Sequence, residues 1–266
     1  MPTASGPSTQ EPPLPTARDL AQATEEHPRL PSGPGERFAG YGIMGLPFSS
    51  GHVLALRRFG GSSIGPGYTS VWHRSPAGDW TMFQDVAPEL GCARYFGPAL
   101  ARTVVGPISV RWPEADRLEV QLEGPPTLAW TCTVSEPPAL VAMNALARRM
   151  PERWWREDRV LRAMAGAAHW TLGAGRLGLT GRTPGGQHFI ANPLVTFAVS
   201  DSRARLDQES LGAPGPLARQ DRLGDFWIPQ RGLLVIGRST FEPLPTDRHR
   251  GRPRETQALD APPSPS

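Results

Sequence analysis

The residues with the richest chemistry lie in one stretch of the chain, from Tyr68 to Asp85. This stretch combines large aromatic side chains with ionisable ones, and such a mixture can line a pocket for an apolar molecule that is held by a few polar groups. His73 and Asp85 are the candidate catalytic residues, because both side chains can transfer protons. The candidate ligand-binding residues are Tyr68, Trp72, Trp80, Phe83, Arg94, Tyr95 and Trp227.

Several roles are open to these candidates. Asp85 could orient His73 or pair with Arg94, and burial in a pocket would then perturb the pKa of its carboxyl group. Arg94 and Tyr95 would stabilise negative charge that develops on a substrate. The alternative is a structural histidine among aromatic side chains that simply fill a core. Strand register decides between these possibilities, because a slip of one residue moves every side chain to the other face.

A second group of aromatic and charged residues lies between Gly224 and Gly232. Trp227 is the ligand-binding candidate in this segment. Asp225 and Arg231 lie beside it at strand-edge or loop positions, and the alternative is a corner made by proline and glycine with a surface ion pair.

Two glycine motifs point to other chemistries, but each lacks its structural context. Gly40 to Gly45 matches the dinucleotide-binding pattern G-x-G-x-x-G, which requires a helix after the glycines. The following Leu-Pro-Phe-Ser-Ser-Gly sequence does not favour a helix. Ser63 occupies the nucleophile position of a G-x-S-x-G motif, which also requires a following helix. A new strand begins there instead, so we expect both motifs to be strand connections.

The chain contains no lysine, so all 28 residues of the combined Lys and Arg total are arginine. This excludes a Schiff-base lysine, a pyridoxal-phosphate lysine, a P-loop lysine and a lysine general base. The six histidines show no H-E-x-x-H or H-x-H spacing, and none neighbours a cysteine at ligand distance. We therefore expect neither a metal nor another cofactor.

Charge and composition indicate the compartment and exclude some partners. The net charge is only +3, and the densest arginine cluster, from Arg248 to Arg254, lies in a tail; we therefore expect no nucleic-acid partner. Two cysteines, Cys92 and Cys132, cannot form a disulfide framework. There is no signal-peptide pattern and no apolar run long enough for a membrane span. These features predict a soluble, cytoplasmic protein with reduced thiols.

Short apolar segments cut by glycine and proline predict a β-rich chain. Arg117–Glu123 alternates apolar and polar residues, which is typical of a strand with one solvated face. The predicted strands are Ala39–Met44, His52–Phe59, Tyr68–Arg74, Trp80–Asp85, Ala101–Val105, Ile108–Trp112, Arg117–Glu123, Leu128–Val134, Arg176–Thr180, Gln187–Ile190, Leu194–Val199 and Leu233–Phe241, with a further short one at Arg203–Asp207.

Helical periodicity replaces the strand pattern over residues 138–170. One helix is predicted over Leu140–Met150, and a second from Pro151 to about Trp170, since proline suits a first helical turn. Residues 1–36 and 248–266 are rich in Pro, Ser, Thr, Gln and Glu and are predicted to be disordered tails. The remaining residues, 37–247, are predicted to form one β-barrel domain with a two-helix insertion.

The segments Ser63–His73, Trp80–Phe83 and Pro193–Ser202 resemble those of uncharacterised actinobacterial proteins. These are distantly similar to lipocalin-like families that include the carotenoid hydratase and AttH-like proteins. The resemblance implies an antiparallel barrel that encloses apolar molecules, and some members of such families act as hydratases or cyclases. The chain departs from them in length and lacks their Trp-Trp-Tyr-type string, so the resemblance assigns no catalytic residues.

Three functional hypotheses follow. The first is a protein that binds a small, largely apolar molecule, such as a polyketide, terpenoid or lipid, in a barrel pocket. The second is a cofactor-free cyclase, isomerase or hydratase that acts on such a molecule, with His73 or Asp85 transferring protons. The third is a structural or interaction protein whose barrel is filled by side chains. A cavity lined by the named aromatic residues would favour the first two over the third.

Overall fold

A computed structural model describes residues 15–244 and the backbone of residues 256–258. Residues 1–14 and most of the C-terminal tail predicted at 248–266 lie outside the described residues. The described residues form four α-helices: α1 Ala17–Glu26, α2 Ala93–Phe96, α3 Pro138–Arg149 and α4 Asp158–Leu172. No helix in the described part of the chain is long and apolar enough to cross a membrane.

The rest of the fold is built from strands, so the prediction of a mainly β protein is confirmed. The strands are β1 Glu36–Ile43, β2 Leu46–Pro47, β3 Val53–Ser62, β4 Tyr68–Arg74, β5 Trp80–Gln84, β6 Arg102–Val105, β7 Ile108–Arg111, β8 Arg117–Leu122, β9 Leu128–Ser135, β10 Thr180–Arg182, β11 His188–Leu206, β12 Glu209–Ser210, β13 Arg222–Leu223, β14 Phe226–Trp227, β15 Leu233–Phe241 and β16 Thr256–Ala258.

All of these strands except β13 and β14 belong to a single sheet of 14 strands. Its main order is β16-β6-β5-β4-β3-β1-β15-β11-β9-β8-β7, with β2, β10 and β12 added at the side. Most pairs are antiparallel, but β6 runs parallel to both β5 and β16. The sheet curls into a half-barrel, and β7 does not pair with β6 or β16 within the described residues. The closed antiparallel barrel that we expected is therefore not formed.

Strand β11 joins segments that the sequence analysis separated. Gln187–Ile190, Leu194–Val199 and Arg203–Asp207 were expected to be distinct strands, whereas β11 runs through nearly all of them. Register shifts occur between Pro193 and Val195, where β11 pairs with β15, and between Val199 and Asp201, where it pairs with β9. Bulges of this kind bend a strand without ending it, which allows β11 to follow the curl of the sheet.

Helix α1 lies inside the segment predicted to be a disordered tail. Thr16 and Asp19 form a reciprocal capping box at its start. Ala17 and Ala21 are buried against the sheet, and Glu25 accepts hydrogen bonds from Tyr41 and Arg58. The alanine face and these polar contacts explain how a segment with so few large apolar residues is ordered.

The helical insertion predicted at residues 138–170 is present as α3 and α4, but the second helix begins later than expected. Residues Glu152–Arg156 form a 3₁₀ turn, and α4 starts at Asp158 rather than Pro151. Asn144 anchors α3 to β11, because its amide nitrogen donates to the Thr196 carbonyl and its Oδ1 accepts from the Thr196 N–H. The amide of Asn192 donates to the Trp155 carbonyl. These bonds hold both helices over one face of the sheet.

Each face of the curled sheet carries its own apolar cluster. The first, which we call the closed face, contains Leu54, Leu118 and Trp130 and is covered partly by α1. The second, which we call the cavity face, contains Val53, Trp72 and other aromatic side chains and lies under α3 and α4. Because successive side chains of a strand point to opposite sides, neighbouring residues such as Val53 and Leu54 serve different clusters.

Candidate functional site

A cavity of about 280 Å³ lies between the cavity face of the sheet and the helices α3 and α4. This volume is near the lower end of ligand pockets, which hold roughly 300–1,000 Å³. Four of the six methionines line it, and these flexible side chains adapt well to an irregular apolar ligand. The helical part of the lining consists of Met143, Leu146, Ala147, Met150, Met164, Ala167, Ala168, Thr171 and Leu172.

Two paired glycines form part of the cavity floor. Gly40 of β1 lies opposite Gly237 of β15, and both line the cavity. A side chain at Gly40 would collide with the carbonyl oxygen of Arg58, and one at Gly237 would collide with that of Asn192. Glycine therefore allows the neighbouring strands to approach closely and keeps the floor free of side chains.

Arg57 of β3 is the only buried arginine among the described residues, with an exposed fraction of 6 %. Its side chain lines the cavity. Nη1 donates to the carbonyl oxygens of Ile43 and Leu56, each at 2.7 Å, and Nη2 donates to that of Met44 at 3.3 Å. The guanidinium is held by backbone carbonyls, which position it without neutralising its charge.

No carboxylate in the described part of the chain forms an ion pair with Arg57. The guanidinium instead lies 4.8 Å from the ring centroid of Trp72 and 5.2 Å from that of Phe226, within cation–π range. Burial lowers the pKa of Arg57 to about 10, so the side chain is still a cation at neutral pH. Two arginines thus lie in the otherwise apolar wall of the cavity: Arg57, which has no carboxylate partner among the described residues, and Arg238, which is paired with Glu152 at 3.4 Å.

Tyr68 and Cys92 form a polar pair in the same cavity. The Tyr68 hydroxyl lies 3.3 Å from the Cys92 sulfur, and both residues are buried. Burial raises the pKa of the Tyr68 hydroxyl and that of the Cys92 thiol. Both groups are thus neutral at neutral pH, and a neutral thiol is a poor nucleophile.

Arg94 and Tyr95 both bind the carboxylate of Glu36, and only Tyr95 also lines the cavity. Arg94 donates to both carboxylate oxygens of Glu36, from Nε at 2.9 Å and from Nη2 at 2.7 Å. The Tyr95 hydroxyl donates a short hydrogen bond to the same carboxylate. The Tyr95 ring lines the cavity and stacks on Phe241 with centroids 4.1 Å apart. Arg94 does not line it, since its charge is already neutralised by Glu36.

His73 and Asp85 lie apart from each other and from the cavity. His73 pairs across the sheet with Leu54, which places its side chain on the closed face. Its Nε2 lies 2.8 Å from Nδ1 of His52, and burial, His52 and Arg102 lower the pKa of His73 to about 4. Asp85 is exposed and accepts the Thr69 backbone N–H at 2.7 Å. The expected contact of Asp85 with His73 or Arg94 is absent from the hydrogen bonds and ion pairs of the described residues.

The remaining candidates divide between the two faces. Trp80 packs in the aromatic cluster of the cavity face but does not line the cavity, and Phe83 belongs to the closed face. Trp227 lines the cavity, with Arg176 and Arg222 over its ring at 5.1 and 5.3 Å. The predicted residues that the structure brings together around the cavity are Tyr68, Trp72, Tyr95 and Trp227.

Sequence reasoning missed the charged residue of the cavity. Arg57 follows Val53 and Ala55 in the same alternating register, so an arginine occupies an apolar position of β3. That position was a usable signal, because a charged residue on a buried face is rare without a partner. The helical lining was also missed, since no residue of the predicted two-helix insertion was among the candidate ligand-binding residues.

The glycine motifs have structural roles. Gly40 to Gly45 includes the end of β1 and is followed by the short strand β2, so no helix begins there. Ser63 accepts the Arg37 backbone N–H at 2.8 Å and lies between β3 and β4. No group of three or more metal-ligating side chains occurs among the described residues.

Comparisons with known proteins do not place the chain in a family. No family model and no curated protein matches it. Among solved structures, it is similar to an acetoacetate decarboxylase from Legionella pneumophila, with 13% identity and a TM-score of 0.36. The match covers 90% of this chain and 96% of that one. A TM-score this low supports no functional argument, and none of these comparisons supports the predicted resemblance to lipocalin-like proteins.

Proposed function

We propose that this chain binds a small, largely apolar molecule, such as a polyketide, terpenoid or lipid. The site is the cavity between the sheet and the helices α3 and α4. The observation that carries the proposal is the apolar lining of this cavity, where methionine, alanine and aromatic side chains surround about 280 Å³ of empty space. A cavity with such apolar walls favours apolar ligands over water.

The cavity also has a route of entry. Leu146 lines it and is nevertheless 71% exposed, so the mouth opens to solvent beside α3. Large exposed apolar side chains near a cavity are typical of ligand-binding grooves. The hypothesis of a filled interior predicts no such space on this face and is therefore less well supported.

The hypothesis of a cyclase, isomerase or hydratase relied on His73 and Asp85 for proton transfer. Neither residue lines the cavity, and the nearby tyrosine and cysteine groups are neutral. Because no histidine, aspartate or glutamate of the described residues lines the cavity, the usual groups for proton transfer are not at hand there, and binding is the function that we put forward.

Blocking the cavity tests the proposal. Ala147 lines the cavity on α3, whereas Ala142 is exposed on the same helix and does not line it. Ala147→Trp should weaken binding of the neutral fluorescent probe N-phenylnaphthylamine by at least about tenfold, because the indole fills the space. Ala142→Trp is the matched control and should bind the probe like the original chain.

Native mass spectrometry of protein purified from its source cell provides the second readout. A small apolar molecule should co-purify with the original chain and be missing from the Ala147→Trp variant. The proposal is wrong if the probe binds the two variants equally, or if the original chain neither binds the probe nor carries a molecule.

A further inference from the structure

The guanidinium of Arg57 has donors that the protein does not use. An arginine carries five N–H donors, two on each Nη and one on Nε. Both donors of Nη1 are taken by the carbonyls of Ile43 and Leu56, and one donor of Nη2 by that of Met44. Within the described residues, the Nε donor and the second Nη2 donor therefore have no acceptor.

The charge of Arg57 is also unmatched. Its ionisable neighbours are Tyr68 and Cys92, and both are neutral at neutral pH because burial raises the pKa of each. The rings of Trp72 and Phe226 offer a partial counter-charge through their π faces. A buried charge ordinarily has an anionic partner, since its loss of hydration is otherwise uncompensated.

Arg94 shows how the same two nitrogens behave when an anion is present. It binds the two oxygens of Glu36 with Nε and Nη2, which is the bidentate arrangement typical of arginine and carboxylate. In Arg57 the same two nitrogens have free donors. The residue lines the cavity and binds no protein carboxylate among the described residues.

We infer that the ligand of the cavity carries one carboxylate on an apolar body, and that Arg57 binds this carboxylate. The inference rests on the proposed function, since it concerns the same cavity. The methionines and alanines of α3 and α4 contact the apolar body, while the carboxylate lies at the sheet, against the free N–H donors of Arg57 Nε and Nη2. An apolar acid thus fits the cavity better than a neutral molecule of the same size.

A pair of simple probes tests this inference. Decanoate and decanol have the same apolar chain and differ in the charge of the head group. Isothermal titration at about pH 8 keeps decanoate ionised and Arg57 protonated. The original chain should bind decanoate about ten- to a hundredfold more tightly than decanol, because a bidentate charge-assisted contact is added.

Two arginine variants locate the effect. Arg57→Met should remove the preference and bind both probes about equally. Arg58→Met is the matched control, because Arg58 is the next residue in the strand, points to the opposite face and is paired with Glu25; it should keep the preference. If Arg57→Met does not fold, Arg57→Gln serves as the neutral variant, and the comparison of probes on the original chain decides without any variant.

The outcomes separate the two claims. Equal affinity of the original chain for decanoate and decanol would overturn the carboxylate site while leaving apolar binding intact. Loss of the preference in Arg58→Met as strongly as in Arg57→Met would also overturn it. If neither decanoate nor decanol binds, while the protein is folded, the proposed function itself fails.

Discussion

The same strands form both faces of the curled sheet, but different helices cover the two faces. On the closed face, Leu118 and Trp130 are almost completely buried, and the Trp130 indole donates to Ser202 at 3.0 Å. On the cavity face, the side chains of α3 and α4 stand away from the sheet and leave a space. The closed face is filled by buried apolar side chains, and the cavity face combines packed aromatic side chains with a cavity.

The difference is clearest at two neighbouring arginines. Arg58 points to the closed side, donates to Glu25 at 3.1 Å and to Thr69 at 2.6 Å, and is half-buried. Arg57 points to the cavity, is more deeply buried and has no carboxylate partner within the described residues. The less buried arginine is thus neutralised by the protein and the more buried one is not. This contrast supports the proposal that the cavity face binds a ligand, whereas the closed face has a structural role.

The largest expected effect on stability comes from substituting a buried residue of the closed face. Trp130→Ala should lower the free energy of unfolding by about 3–5 kcal/mol, because it removes a fully buried indole and leaves a cavity. Trp170→Ala is the control, since Trp170 is 85% exposed, and its effect should stay within about 0.5 kcal/mol. Urea unfolding followed by circular dichroism measures both, and equal losses would contradict the contrast between the closed face and the exposed helices.

A smaller effect on the free energy of unfolding is expected when the pH is lowered. His73 has an ordinary pKa of 6.5, and in the folded protein it is lowered to about 4. Between these two values the unfolded chain binds more protons than the folded chain, so the free energy of unfolding falls as the pH falls. At about pH 4, this effect of His73 lowers the free energy of unfolding by roughly 3 kcal/mol relative to neutral pH.

His73→Gln removes this contribution. Its stability should depend less on pH between 6.5 and about 4 than that of the original chain, as measured by urea unfolding at several pH values. His52→Gln is the comparison, because His52 is less buried and should contribute less. An unchanged pH dependence in His73→Gln would show that the buried histidine is not the sensitive group.

The smallest effect is expected for the rates at which the two cysteines are chemically modified. One cysteine lies on each face. Cys92 lines the cavity, whereas Cys132 lies in the closed face, where burial raises its thiol pKa to about 12. Burial raises the pKa of both thiols, but a small neutral thiol reagent can reach Cys92 through the cavity and should modify it about tenfold faster than Cys132. Peptide mass spectrometry measures both rates, and Ala147→Trp should slow only the reaction of Cys92. Equal rates would mean that the reagent does not enter through the cavity.

Much of the secondary structure could be predicted from local patterns. Tyr68–Arg74 has the predicted bounds, and Trp80–Gln84 ends one residue before its predicted end. Alternation in Arg117–Leu122 and the helical period after Pro138 were equally informative. These segments are specified by neighbours in sequence, through side-chain shape, turn residues and hydrophobic period.

The candidate site was predicted only in part, because it depends on distant pairing. Tyr68, Trp72, Tyr95 and Trp227 line the cavity as aromatic residues were expected to do. His73 was grouped with Trp72 because the two are adjacent, although adjacent strand residues point to opposite faces. Helix α1 was missed because its order comes from small alanines packed on a sheet that is assembled from the rest of the chain.

The sequence by itself determined the positions of most strands and of the two helices after Pro138, that lysine chemistry is impossible, and which aromatic residues are available for a pocket. Local composition is sufficient for these properties. The tertiary structure decided that the sheet stays open, that α3 and α4 enclose a cavity, and that Arg57 rather than His73, Asp85 or Arg94 supplies its charge. Those features depend on strand register and on contacts between residues far apart in the chain, such as Asn144 with Thr196, which no local pattern encodes.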